Sequence, residues 1–180
     1  FNQRASDTHQ KMKELVSSGE LGAIVRVNWI ITDWFRTEAY YASGGWRATW
    51  KGEGGGVLLN QCLHQLDMLQ WLCGMPARVR GFCQLGRFHN IEVEDNITTY
   101  LEWKNGATGV FVSSTGEAPG TNRRKSTARK AGFCHHRYRN PRQKNSSAAA
   151  ITSSRQDVAM TLAPKPRASL TSAANSRGAG

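Results

Sequence analysis

The stretch Gly54–Gly74, GGGVLLNQCLHQLDMLQWLCG, runs three glycines into a segment with one polar stripe. At 100° per residue, Asn60, His64 and Asp67 fall within about 60° of one another on a helix. Leu58, Leu59, Cys62, Leu66, Leu69 and Cys73 cover the other side. A helix from about Gly55 to Cys73 would therefore bury an apolar face and present Asn, His and Asp together. Gly74 and Pro76 mark its end.

Outward from this segment, Ser6 or Asp7 can cap a first helix reaching about Ser17, with Gly19 as its stop. Ile24, Val27, Trp29 and Ile31 lie in a β-rich run from Ala23 to Trp34, which predicts a strand. Phe35 to Glu53 has little periodicity and reads as a long loop. Its two tyrosines, two tryptophans, Arg36 and Arg47 are groups that stack on or hydrogen-bond to a polar ring. Three further strands are predicted over 78–88, 96–103 and 107–115. The last two are joined by Asn105–Gly106, the signal for a type I′ hairpin. The acidic cluster Glu92, Glu94 and Asp95 reads as a solvated loop rather than a metal site. Together these elements predict an α+β domain: a mostly antiparallel open sheet, incomplete, with helices on one face. Its last strand, Ala107–Thr115, carries no charge and would leave an unpaired apolar edge, which predicts aggregation.

The net charge of +11 would ordinarily suggest a nucleic-acid or acidic-membrane partner, but the charge is unevenly placed. Residues 1–122 carry a net charge of −1 and residues 123–180 a net charge of +12. All six tryptophans lie in the first part, so the folded domain is expected over 1–122. Residues 123–180 contain too few apolar side chains to offset chain entropy, which predicts a disordered basic tail. Its Arg, Ser, Ala, Pro and Gly content is what a GC-rich coding strand yields when read out of frame. The other reading is a genuine basic extension that neutralises nucleic-acid phosphates. Tyr138 and Phe133, its only aromatic rings, argue against base stacking. Cys134, His135 and His136 lack a second ligand pair, so no metal is expected. The cysteines have no paired spacing and read as free thiols of a reducing compartment, with a cytoplasmic location implied. No apolar run approaches the ~20 residues that span a bilayer.

The glycine–Asn–His–Asp segment resembles the central helix in the second domain of Gfo/Idh/MocA-type oxidoreductases. That family's pattern is Gly-Gly-Gly, then Asp or Asn, three residues, His, two residues, Asp. The opening NQR with HQKMKELVSSGELG, the WRATWKGE before the glycines, and DNITTYLEWKNGATGVFVSSTGEAPGTN beyond agree with it, so the resemblance covers Phe1 to Asn122. It implies an N-terminal Rossmann domain binding NAD or NADP, and a C-terminal α/β domain that supplies substrate contacts. The substrate would be a sugar, cyclitol or related polyol. No G-x-G-x-x-G between a strand and a helix occurs here, and Phe1 is not a start methionine. The sequence thus reads as part of an oxidoreductase cut at the domain junction and inactive alone.

On this resemblance His64 is the base that takes the hydroxyl proton as hydride leaves, and Asn60 assists it. Asn replaces the Asp often found there; it can hold a hydroxyl but brings no charge. Asp67, Arg47 and Trp46 become substrate-binding candidates. Gly55 and Gly56 would let the nicotinamide approach the backbone. The open sheet implies homo-oligomer contacts. A non-catalytic binding or oligomerisation module is the alternative, and a nucleic-acid binder led by the tail a remote one.

Overall fold

The computed structural model describes residues 1–137 and 157–162. A 3-10 turn (Asn2–Ala5) leads into α1 (Asp7–Ser17), β1 (Ile24–Ile31), α2 (Glu38–Ala42) and α3 (Leu63–Cys73). Then come β2 (Arg78–Leu85), β3 (Glu94–Glu102), β4 (Thr108–Ser114), β5 (Asn122–Ala128), β6 (Ala131–Arg137) and β7 (Asp157–Leu162). The strands form one sheet in the order β2-β3-β4-β1-β5-β6-β7. Every pairing is antiparallel except β1 with β4. The expected α+β architecture is present.

Alternation along β1 buries Val27, Trp29 and Ile31, and cross-strand register aligns them with Gly109, Phe111 and Ser113 of β4. Trp29 and Phe111 meet edge-on, with centroids 6.1 Å apart. Met12 of α1 and Met68, Leu69 and Leu72 of α3 complete this core, so both helices cover the same face. The opposite face carries Ile30, Tyr100 and Phe82 among polar neighbours, all exposed. Phe111 is the largest of the fully buried side chains among the described residues, and truncating such a ring costs about 3–5 kcal/mol.

Several expectations are corrected. The strand Ala107–Thr115 is no edge, because β4 lies between β3 and β1; the edges are β2 and β7. The hairpin turn is not type I′, since Asn105 keeps negative φ and only Gly106 is left-handed, at φ 81°. The amide N–H of Gly106 donates to Trp103 and that of Trp103 to Ala107, a tight turn followed by a glycine bulge. Glu94 and Asp95 do not solvate a loop; both are buried and accept backbone N–H groups.

The sheet also runs through the expected boundary at 122. β5 pairs along β1, Ile31 with Asn122 and Trp29 with Arg124. Its inward positions Asn122, Arg124 and Ser126 are buried although polar, which is why no apolar alternation announced it. The rest of the expected basic tail, 138–156 and 163–180, lies outside the described residues. No helix among the described residues is long and apolar enough to cross a membrane.

Candidate active site

The helix that should carry the polar stripe begins only at Leu63. Glu94 explains why. Its carboxylate accepts the N–H of Gly56 at 3.0 Å and of Leu58 at 3.2 Å, and its own carbonyl accepts Val57 N–H at 2.9 Å. These donors are drawn sideways onto β3, so residues 56–62 form turns instead of helix. Gly56 is forced by this contact: a Cβ there would stand 1.9 Å from the Glu94 carbonyl oxygen. Its N–H and its Cβ-free side are therefore both taken by Glu94. Gly55, also buried, would place a Cβ 2.7 Å from the Leu59 side chain.

Asn60 thus projects from a turn, one residue group before α3. Its side-chain amide donates to Glu53 Oε1, while Glu53 Oε2 accepts Ala48 N–H at 2.8 Å. A carboxylate only accepts, so the NH2 must face Glu53 and the carbonyl oxygen Oδ1 must face away. His64, in the first turn of α3, is exposed. Its ring meets Phe1 edge-on at 5.6 Å, and neither nitrogen has a hydrogen-bond partner among the described residues.

Asp67 is buried and both its oxygens are occupied. Arg4 Nε donates to Oδ2 at 2.8 Å and Arg4 Nη2 donates to Oδ1. The hydrogen bonds from Arg4 hold this carboxyl below the usual carboxylate range. Arg47 lies over the Tyr40 ring at 4.7 Å and the Trp46 ring at 4.6 Å, and donates to the Tyr40 hydroxyl at 3.0 Å. Trp46 itself is 52% exposed. Glu53 joins the two halves of the site, since it grips Ala48, next to Arg47, and Asn60 at once.

Glu53, Glu94 and Arg4 were missed by sequence reasoning. Arg4 acts from the 3-10 turn, Glu53 from a turn and Glu94 from the first position of β3, and no periodicity marks these contacts. Burial pushes the Cys62 thiol up to about 12 and the Cys73 thiol to about 11, and Cys62, Cys73 and Cys83 are all free. Among the described residues no group of three His, Cys, Asp or Glu side chains could hold a metal ion.

An exposed imidazole at His64, with an oriented amide carbonyl four residues earlier at Asn60, thus sits on an α+β domain with an open, mostly antiparallel sheet. Residues 9–129 match the family described as the GFO/IDH/MocA C-terminal domain. The chain belongs to that family. Among solved structures it is similar to the WlbA dehydrogenase from Chromobacterium violaceum in complex with NADH and UDP-GlcNAcA. That likeness has 29% identity and a TM-score of 0.68 over 74% of this chain and 39% of that one. The Bordetella pertussis WlbA dehydrogenase, with the same two ligands, gives 28% and 0.68 over 73% and 40%. The aldose-aldose oxidoreductase from Caulobacter crescentus, complexed with glycerol, shares the fold at 22% identity and TM-score 0.62, covering 76% and 39%. The chain spans about two-fifths of the length of these structures. No curated protein matches.

Proposed function

We propose that this chain is the substrate half of an NAD(P)-dependent oxidoreductase that oxidises or reduces a hydroxyl or carbonyl carbon of a sugar, cyclitol or related polyol. The single observation that carries the reading is the Asn60 amide turned by Glu53 so that Oδ1 faces away from it, four residues before an exposed His64 whose ring nitrogens have no hydrogen-bond partner among the described residues. In oxidation, His64 takes the proton of the reacting hydroxyl as the carbon loses hydride, while Oδ1 accepts an O–H from a neighbouring substrate hydroxyl and so aligns the ring. The nicotinamide, when bound, supplies the hydride acceptor. Gly55 is the better of the two glycines for its approach, because Gly56 is committed to Glu94. Trp46 and Arg47 offer a stacking surface for the substrate ring. Asp67 acts by holding Arg4 against the helix rather than by receiving substrate hydroxyls directly.

The dinucleotide lies on a domain outside these residues, so the chain alone is expected to reduce no NAD+ or NADP+ with any sugar or inositol. A cytoplasmic setting accords with the free thiols. The test is ligand binding. In the 15N-labelled chain, glucose or myo-inositol should shift the Asn60 side-chain amide and the His64 ring resonances. Titration to high polyol concentration without movement at either residue would defeat the reading.

A second reading, an oligomerisation module, is favoured by the face opposite the helices, where Phe82 is 70% exposed and Tyr100 and Ile30 are 39% exposed. Sedimentation separates it: self-association lost on Phe82→Glu while polyol binding persists would support both roles.

A further inference from the structure

Neither Arg36 nor Arg47 forms an ion pair with Glu38, Glu53 or Glu92, the carboxylates of their own loop and of the 92–95 connection. Glu38 Oε1 accepts Asn90 N–H at 3.1 Å and Glu92 Oε2 accepts Trp50 N–H at 3.2 Å. Glu53 spends both oxygens on Ala48 and Asn60. Arg36 donates to the neighbouring Phe35 carbonyl at 3.1 Å, and Arg47 to the Tyr40 hydroxyl. Each guanidinium has five N–H donors, so most remain unused.

The two cations are instead gathered at one ring. The Arg36 guanidinium lies 4.9 Å and that of Arg47 4.7 Å from the Tyr40 centroid. Trp34 and Trp46 flank them, at 5.6 Å from Arg36 and 4.6 Å from Arg47. Aromatic faces orient guanidiniums and leave their edges free, and an anion between two like charges at one ring would relieve their repulsion. A further observation points the same way. Trp34 Nε1 and Arg36 Nε are buried donors without an acceptor among the described residues. Beside Arg47 opens a cavity of about 410 Å³, which Tyr41 and Thr49 also line. Glu38 and Glu92 line it too and would repel an anion there, so the anion belongs on the arginine side.

We propose that Arg36 and Arg47, spread over Tyr40, form a subsite for an oxyanion carried by the substrate, a carboxylate or a phosphate on the sugar. This deepens the sugar-site reading above and rests on it for the rest of the ligand. Planar bidentate contact suits both groups.

The test titrates the chain with glucose, glucuronate, glucose 6-phosphate and inorganic phosphate, following tryptophan fluorescence. Glucuronate, glucose 6-phosphate or both should bind about tenfold tighter than glucose, as charge-assisted hydrogen bonds would give. Arg47→Gln and Arg36→Gln should each bring the anionic sugars toward the glucose level, with near-UV circular dichroism confirming the fold. Arg47→Lys, which keeps the charge, checks that a loss reflects the ligand contact. Preference for one anionic sugar alone identifies the group and supports the subsite. Arginine-dependent uptake of inorganic phosphate with no sugar bound would support it while overturning the sugar reading. Equal binding of all three sugars would overturn the subsite and leave the sugar reading standing. A preference surviving both Gln variants, or no binding of any probe, would overturn it as well.

Discussion

Arg4 grips Asp67 with two donors across 63 residues of sequence, fastening the start of the chain to the helix that carries His64. The pair agrees in direction at both ends, with the Asp67 carboxyl lowered and the Arg4 guanidinium raised by the same hydrogen bonds. A carboxyl depressed in the folded state contributes stability above its ordinary pKa of 3.8, and loses it as pH falls through the folded value. The stability difference between the wild-type chain and Asp67→Asn should therefore be constant near neutrality and shrink below about pH 4. Urea unfolding at pH 7, 5 and 3 checks this; a difference independent of pH would contradict it.

Glu53→Gln leaves one acceptor oxygen for two donors, Ala48 N–H and the Asn60 amide. We expect a loss of about 1–2 kcal/mol in stability. Polyol affinity should fall further than that of Asn60→Asp falls, because Asn60 then turns freely. Calorimetric titration of both variants decides; unchanged affinity in Glu53→Gln would remove Glu53 from the site.

Gly56 and Gly54 should respond to alanine for different reasons. Gly56→Ala drives a Cβ to within 1.9 Å of backbone at Glu94, which cannot swing away, so a loss of about 3 kcal/mol or more is expected. Gly54 faces open space but has φ 78°, so Gly54→Ala costs only about 1–2 kcal/mol. Chemical denaturation of the pair would show the ranking, and the reverse order would refute the close packing at Glu94.

Arg124 is 2% exposed, lies 4.7 Å over the Trp29 ring and donates to Met12 Sδ at 3.1 Å, while its Nε has no partner among the described residues. Burial pushes its pKa down to about 10, so at pH 7 it remains a cation in the core. Arg124→Met keeps the length and removes the charge, and should stabilise by about 1–4 kcal/mol. A lower midpoint in urea would mean the stacking on Trp29 outweighs desolvation.

The expected aggregation edge moves to β2, every residue of which is exposed. Phe82 is 70% and Val79 57% exposed there, on opposite faces of the strand. Phe82→Lys and Val79→Lys should each raise solubility while changing stability by no more than about 0.5 kcal/mol. Light scattering against concentration measures this, and no change would relocate the sticky surface to the other edge.

The elements that sequence alone determined are those whose own pattern matches their burial. Val27, Trp29 and Ile31 alternate because β1 has one wet and one dry face, and α1 is bracketed by Ser6 and Gly19 as read. The glycine–Asn–His–Asp spacing likewise pointed to the family. The start of α3, the role of Gly56 and the turning of Asn60 were decided by Glu94 and Glu53, residues distant in sequence or placed in a loop. A backbone N–H will leave a helix for a buried carboxylate, and local periodicity holds no record of that partner. β5 escaped notice for the same reason: polar Asn122, Arg124 and Ser126 face the core only because β1 offers its free edge there. A strand is fixed by the neighbour that supplies its hydrogen bonds, and that neighbour exists only in three dimensions.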